Sequence, residues 1–166
     1  GNYTIIVMPP SFPEGGTPNP LLCYTSITTI TGDKSQEYVL VRTAAAMYTA
    51  AQVTPSNWED YWMNEGITTF IERHVQAKLW DVTYAATAAF AGNNSLATAT
   101  FIIGAKNKTY VTLHPTLMGA DPDYANTIVP YEKGFQFLQW IEDFWLGYYN
   151  MEDFIEYYIV MNSLAS

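Results

Sequence analysis

A chain of 166 residues is long enough for one domain with its own hydrophobic core and too short to expect two. Hydrophobic residues make up 49% of the chain and aromatic residues 16%, which excludes intrinsic disorder because enough apolar surface is available to offset the ordering entropy. The net charge of -9 and the lack of clustered lysines and arginines exclude nucleic-acid binding, since phosphate backbones need clustered cations.

The cysteine and hydropathy patterns bear on the compartment. One cysteine, Cys23, cannot form an intramolecular disulfide, so the fold is expected not to depend on an oxidising environment. No apolar run reaches the length of about 18 residues that a membrane-spanning helix needs, and the first residues lack a signal-peptide pattern. We expect no membrane span and, for a natural chain, a cytoplasmic location. The many aromatic residues in a weakly charged chain also predict self-association through exposed apolar surface.

Two strands are predicted at the start of the chain. The β-branched, apolar residues 3–8 end at a pair of prolines, and the side chains of residues 21–28 alternate in polarity, as strands do. Residues 9–20, between them, contain five of the nine prolines and a Gly-Gly pair. This segment is therefore predicted to be an irregular loop.

Helical spacing takes over after the second strand. Asp33 or Ser35 is positioned to cap a helix that runs to about residue 51. A second helix is predicted over residues 58–79, with Gly66 as a local weak point because glycine lowers helix propensity. Its apolar residues recur at three- and four-residue steps and form one stripe: Ile67, Phe70, Ile71, His74, Val75 and Leu79.

Three further helices are predicted, over residues 83–98, 131–145 and 151–163, with a long loop at 104–126. Large apolar side chains expected in the core are Trp58, Trp62, Phe135, Leu138, Trp140, Ile141 and Trp145. Strands followed by helices indicate an α+β class in which helices dominate, folded as a single domain over residues 1–166.

Five sequence motifs occur in a fixed order between residues 9 and 135. They are Pro9-Pro10-Ser11-Phe12-Pro13 with Gly15-Gly16, Gly32-Asp33-Lys34-Ser35, Trp62-Met63-Asn64-Glu65-Gly66 with Glu72-Arg73-His74, Asp121-Pro122-Asp123, and Val129-Pro130-Tyr131-Glu132-Lys133-Gly134-Phe135. Together they resemble the catalytic domain of gluzincin zinc aminopeptidases, closest to the leukotriene hydrolase type. The resemblance implies a truncated, thermolysin-like domain that forms the central part of a much longer enzyme.

The resemblance also implies where a zinc ion would bind. The family holds zinc through His-Glu-x-x-His on a helix, because residues four apart share a face, and through a later Glu. The central Glu acts as a general base on a zinc-bound water. The family spacing places the later Glu at Glu65 and the five-residue motif at residues 42–46, which read Arg-Thr-Ala-Ala-Ala.

None of the residues at 42–46 supports this chemistry. Arg42 occupies the first histidine position and cannot lose its proton to bind a metal. Ala46, at the second histidine position, has no donor atom, and Thr43 cannot replace the general base near neutral pH. Glu65 remains, but one carboxylate does not hold zinc, so we expect no cofactor in a chain whose family uses zinc.

The substrate-binding residues implied by the resemblance are also altered. Gly15, Gly16 and Asn19 remain from the family's Gly-rich substrate segment, but Pro18 stands where a Glu would anchor the substrate's amino group. Glu14 replaces the tyrosine that precedes the glycine pair. Tyr131 survives at the position of the oxyanion donor, although a packing role for this tyrosine is an open alternative.

Simpler structural roles are open for the remaining polar residues. An ion pair between Arg42 and Glu65 could satisfy the carboxylate that zinc no longer binds, since an unpaired buried charge is costly. His74 lies on an apolar stripe and is interpreted as a packing residue rather than a ligand.

These residues favour a catalytically inactive, metal-free peptidase-like domain that serves as a scaffold or binding module. The joint loss of ligands, base and amine anchor, with Ala and Thr filling residues 43–51 and 83–100, favours a redesigned or engineered origin over natural divergence or a misassigned sequence. The alternative function is a zinc aminopeptidase or lipid-epoxide hydrolase with residual activity. A third hypothesis keeps the old cleft near Tyr131 as a site for a small apolar ligand or a peptide.

Overall fold

The computed structural model describes residues 3–12 and 15–163. Its strands are β1 (Thr4–Met8), β2 (Gly16–Asn19) and β3 (Leu22–Ser26), and its α-helices are α1 (Glu37–Tyr48), α2 (Tyr61–Leu79), α3 (Val82–Gly104), α4 (Ile128–Ile141) and α5 (Tyr148–Ser163). Short 3₁₀ turns occupy Ile27–Thr29, Trp58–Asp60, Lys108–Val111 and Pro122–Tyr124, and a π-helical turn occupies Glu142–Leu146. The α+β class with dominant helices is confirmed.

Among the described residues the sheet has three strands in the order β1-β3-β2, so both predicted strands are present and a third, β2, was not predicted. The third strand, β2, lies inside the segment predicted as a loop, where it pairs antiparallel with β3 and places Pro18 opposite Cys23. A proline is tolerated there because β2 is an edge strand. Its partner β3 ends at Ser26, short of the predicted residue 28, because the Ser26 side chain accepts the N–H of Thr28 and starts a 3₁₀ turn.

Helix α1 begins later and ends earlier than its sequence signals indicate. The Asp33 side chain accepts the N–H of Ser35 in a turn, so neither residue caps the helix, which begins at Glu37 after Gln36 without a side-chain cap. It ends at Tyr48, before the predicted residue 51. The predicted capping role of Asp33 or Ser35 is therefore wrong.

Helix α2 runs without interruption through Gly66, which contradicts its prediction as a weak point. A Cβ atom on Gly66 would lie 2.9 Å from the Cα atom of Gly134 in α4, so the missing side chain permits a close helix crossing. Along the predicted stripe, Ile67 and Phe70 are buried, but Leu79 at the end of the helix is 61% exposed.

Helix α3 starts where the Asp81 side chain accepts the N–H of Tyr84, and it extends past the predicted end at residue 98 to Gly104. Helix α4 begins at Ile128, earlier than predicted, because Thr127 caps it. The predicted long loop at 104–126 contains two of the 3₁₀ turns.

The core lies where α2, α4 and α5 meet. Its buried members are Val53, Ile67, Phe70, Phe135, Leu138, Met151, Ile155 and Ile159. The assignment of Trp58, Trp140 and Trp145 to the core is wrong, because these side chains are 56%, 47% and 73% exposed. The π-helical turn Glu142–Leu146 changes the helical phase at the end of α4 and leaves Trp145 on the surface. No helix among the described residues is long and apolar enough to cross a membrane.

Candidate functional site

Arg42 joins α1 to α2 through two carboxylates. Its Nη2 atom lies 2.8 Å from Oε2 of Glu65, and its Nη1 atom lies 2.9 Å from Oε2 of Glu72. The same Nη1 donates to the Thr69 hydroxyl at 3.3 Å. The three acceptors follow one another along one face of α2, because positions 65, 69 and 72 are spaced by four and three residues. The predicted ion pair between Arg42 and Glu65 is therefore present.

Burial makes this cluster electrostatically significant. The side chains of Glu65 and Glu72 are 13% and 12% exposed, whereas that of Arg42 is 32% exposed. Burial raises the pKa of the Glu72 carboxyl above its ordinary value, although the charge of Arg42 opposes that rise. The two carboxylates in turn raise the pKa of Arg42 despite its burial. Arg42 therefore stays charged and holds both carboxylates.

Tyr131 lies beside this cluster. The guanidinium carbon of Arg42 is 5.0 Å from the centre of the Tyr131 ring, within the range of a cation–π contact. The Tyr131 hydroxyl donates a long hydrogen bond, of 3.4 Å, to Oδ1 of Asn126. Burial and the charge of Glu65 raise the pKa of Tyr131, and they also raise the pKa of Tyr61, whose ring meets it edge to face. Both phenols are therefore protonated near neutral pH.

Thr43 and Ala46 flank Arg42 on α1. Thr43 is buried and donates its hydroxyl to the carbonyl of Val39 in the preceding turn, at 2.7 Å. Ala46, one turn after Arg42, is partly buried and carries no polar atom. Neither residue presents a group that could activate a water molecule.

The glycine pair lies against the same helix. A Cβ atom on Gly16 would overlap the Thr43 hydroxyl, and one on Gly15 would approach Cγ1 of Val39 to 3.1 Å. These glycines let β2 approach α1 closely, whereas Asn19 at the far end of β2 is exposed. Glu14, which stands where the resemblance places a tyrosine, lies outside the described residues.

The two histidines lie away from Glu65. His74 follows Glu65 by nine residues on α2, which turns its side chain to the opposite face of the helix. There its Nε2 atom is 3.2 Å from Oε2 of Glu142, and its ring stacks on that of Tyr148 and meets that of Phe70 at a tilt. His114 pairs with Asp60 near the surface. The packing role predicted for His74 agrees with these contacts.

A second ion pair was not foreseen from the sequence. Nη2 of Arg73 lies 2.6 Å and 2.8 Å from the two carboxylate oxygens of Glu132, and both side chains are less than a tenth exposed. Gly92 of α3 makes room for this pair, since a Cβ atom there would overlap the Glu132 carboxylate. Arg73 and Glu132 carry opposite charges, and each lies in a sequence motif that otherwise consists mainly of packing residues. These opposite charges were the signal that could have indicated the contact between α2 and α4.

The whole of this chain, residues 1–166, matches the model of the peptidase family M1 domain. The chain belongs to peptidase family M1. The predicted family membership is thereby confirmed.

Individual relatives agree with this membership. The M1 chain is 34% identical over its full length to leucine aminopeptidase 2 of Ajellomyces capsulatus and 34% identical to leukotriene A-4 hydrolase of Xenopus laevis. Among solved structures, native yeast LTA4 hydrolase matches 96% of the chain with a TM-score of 0.85 and 29% identity, and the bestatin complex of that enzyme matches 98% with 0.87. The chain spans about a quarter of the length of these proteins, 26% and 27% of the two relatives.

The residues at the three positions where the resemblance places zinc ligands do not fit a zinc ion. Of the three positions, Arg42 brings a permanent positive charge, Ala46 brings no donor and only Glu65 brings an oxygen ligand. One oxygen of that carboxylate already accepts a hydrogen bond from Arg42 at 2.8 Å. The described residues contain no group of three or more metal-binding side chains.

Proposed function

We propose that this M1 chain is a metal-free, non-catalytic domain that works as a scaffold or binding module. In this proposal Arg42 supplies the positive charge that a metal supplies elsewhere in the family. The observation that carries the proposal is the 2.8 Å contact between Nη2 of Arg42 and Oε2 of Glu65, at the position where the resemblance places a metal ligand.

The chemistry of the replacing group supports the absence of catalysis. A guanidinium donates hydrogen bonds and neutralises charge, but it does not lower the pKa of a bound water or polarise a carbonyl as a Lewis acid does. Thr43, at the position of the general base, uses its hydroxyl to bond the Val39 carbonyl. Tyr131 keeps a protonated phenol, but oxyanion stabilisation without an activated nucleophile gives little rate.

The fit of the replaced residues supports a redesigned origin. Arg42 satisfies two carboxylates, Thr43 fills the space left by Gly16, and Ala46 adds no buried polar atom. Replacements that are mutually compatible, in a fold whose packing motifs are kept, favour deliberate design of the site over gradual drift. A natural gene that carries the same three residues at these positions would contradict this part of the proposal.

The test of function is a turnover assay on the purified chain with a fluorogenic leucine amide, with and without added zinc and with a chelator. We expect a rate indistinguishable from that of the buffer in all three conditions. Turnover that rises with zinc and disappears with the chelator would overturn the proposal and favour the alternative of a residual zinc aminopeptidase.

Binding in the old cleft remains a prediction. Arg42 lies over the Tyr131 ring, so a ligand at this place would contact a guanidinium and two phenols rather than a metal. Chemical-shift mapping with a set of small apolar fragments tests this prediction. Shifts confined to residues beside Tyr131 would support it, and the lack of any saturable shift there would contradict it.

A further inference from the structure

The two outer strands of the sheet differ in how their edges are protected. Edge strands offer unpaired N–H and C=O groups to other chains, and proteins commonly limit this with prolines, charged side chains or a covering element. Strand β2 has two of these protections, because it contains Pro18 and packs closely against α1 where Gly16 meets Thr43. Strand β1, Thr4–Met8, contains neither a proline nor a charged residue. The edge of β1 is therefore the one at which another strand can add.

The pairing of β1 with β3 determines which backbone groups this edge offers. In a parallel ladder, one residue directs its N–H and C=O groups to the neighbouring strand and the next residue directs them away. The N–H of Thr4 bonds the carbonyl of Leu21, just before β3. Thr4 and Ile6 therefore face β3, whereas Ile5 and Val7 direct their backbone groups outward. In the described part of the chain, β3 is the only strand that pairs with β1, so these outward groups have no partner strand.

The side chains of β1 are exposed on both faces of the sheet. Ile5 and Val7 on one face are 43% and 46% exposed, and Ile6 on the other face is 38% exposed. A strand that added at this edge would cover part of each side chain, and β-branched side chains pair favourably across strands. The edge thus fits an extended, uncharged segment that is rich in β-branched residues.

We propose that the segment that binds this edge is strand β1 of a second copy of the chain. Its sequence, Thr-Ile-Ile-Val-Met, is uncharged and mostly β-branched, as the edge requires. Two chains of net charge -9 repel each other in general, but this strand brings no charged side chain opposite its equivalent. The inference gives a location to the self-association expected from the composition, and it does not depend on Arg42.

The symmetry of this contact predicts a closed dimer. A two-fold axis at the β1 edge makes the two strands antiparallel and joins two three-stranded sheets into one sheet of six strands. The edges that remain are those of the two β2 strands, where Pro18 opposes further addition. A contact of five residues per copy is small beside the roughly 20–30 residues per side of a standard interface, so the dimer should be weak.

Sedimentation velocity and two lysine variants test the contact. As the concentration rises from about 10 μM to about 1 mM, we expect dimers and no larger species. Ile5→Lys places two equal charges near each other in the dimer and should weaken it by about tenfold or more. Ile30→Lys makes the same change in charge at an isoleucine that is 58% exposed outside the sheet, and it should leave the dimer unchanged. Thermal unfolding in dilute solution checks that both variants are folded.

Amide hydrogen exchange tests the edge without any substitution. The N–H groups of Thr4 and Ile6 should be protected at every concentration, because they bond to β3. Those of Ile5 and Val7 should exchange rapidly in dilute solution and become protected as the dimer forms.

Three results would overturn the proposal. The first is a chain that stays monomeric throughout the concentration range. The second is a dimer that Ile5→Lys weakens no more than Ile30→Lys does, since the contact would then lie on another surface. The third is protection of Ile5 and Val7 that does not change with concentration, because a segment of the same chain would then cover the edge.

Discussion

Arg42 of α1 and Glu65 of α2 approach to 2.8 Å, and Glu72 approaches the same guanidinium to 2.9 Å from one side of α2. A single cation thus serves two partly buried carboxylates. The arrangement binds two helices together at the place where the M1 fold is expected to hold a metal. Stability, rather than catalysis, is the property that this contact most directly affects.

Replacing Arg42 by alanine should therefore destabilise the chain. Glu65 and Glu72 would remain largely buried without a cation, and breaking such a pair costs about 2–4 kcal/mol of the free energy of unfolding when some solvent screening remains. Urea denaturation of Arg42→Ala at pH 7 measures this change. Lys34→Ala is the control, because its pair with Glu37 is exposed and should contribute less than about 1 kcal/mol. Equal effects of the two substitutions would contradict the role of Arg42.

The protonation of Glu72 predicts a pH dependence. Burial raises its pKa in the folded state, so between the ordinary pKa and the folded pKa the folded chain binds more protons than the unfolded chain. The contribution of Glu72 to stability is therefore present at low pH and is lost as the pH rises through the folded pKa. The Glu72→Gln variant has no titrating carboxyl at this position, so its stability does not decrease for this reason as the pH rises. The free energy of unfolding of Glu72→Gln relative to the unsubstituted chain should thus increase from pH 4 to pH 7.

Urea denaturation of both proteins across this range gives the difference directly. Glu152→Gln is a suitable comparison, because Lys78 lowers the pKa of the Glu152 carboxyl and the difference should change in the opposite direction. A difference for Glu72→Gln that is constant, or that falls as the pH rises, would show that burial does not dominate at this residue.

The crossing of α2 and α4 depends on Gly66. In an open helix, alanine in place of glycine would stabilise by roughly 0.5–1 kcal/mol. At Gly66 the new Cβ would lie 2.9 Å from the Gly134 Cα, and a backbone atom has little room to move, so we expect a net destabilisation of about 1–3 kcal/mol. Thermal unfolding of Gly66→Ala tests this, with Gly32→Ala as the control because its Cβ would meet no atom within 4 Å. A Gly66→Ala variant as stable as the control would disprove the close crossing.

Alanine substitutions of Leu138 and Trp145 should differ sharply in their effect on the free energy of unfolding, although both residues were predicted to lie in the core. Leu138 is 3% exposed and belongs to the core, so Leu138→Ala should cost about 2–5 kcal/mol. Trp145 is 73% exposed, so Trp145→Ala should change the free energy of unfolding by less than about 1 kcal/mol. Chemical denaturation of the two variants compares them. A larger effect at Trp145 would mean that its surface position is wrong.

The sequence predicts the parts of the fold that depend on local pattern or on spacing between motifs. The stripe containing Ile67 and Phe70 identifies the buried face of α2, because burial on a helix repeats with its turn. The family spacing brings Arg42 and Glu65 to related positions and leaves their ion pair as one open alternative, which the structure then shows. Neither feature depends on contacts with a further helix or strand.

Other features depend on contacts between distant segments and could not be predicted in this way. The strand β2 forms through Pro18 because β3 offers an edge partner, which overrides the loop-forming tendency of proline. Gly66 breaks no helix because Gly134 packs against it, and the tryptophan at 145 is exposed because a π-helical turn shifts its phase. For β2 and Gly66, tertiary packing outweighs local propensity.

The most direct test of the central claim is the zinc content of the purified chain after equilibration with zinc and removal of free metal. The triple variant Arg42→His/Thr43→Glu/Ala46→His, which restores the motif of the family, serves as the positive control. We predict far less than one zinc per unsubstituted chain, an unfolding temperature that a chelator does not change, and increased zinc binding by the triple variant. One tightly held zinc per unsubstituted chain, with unfolding that a chelator shifts, would contradict the account.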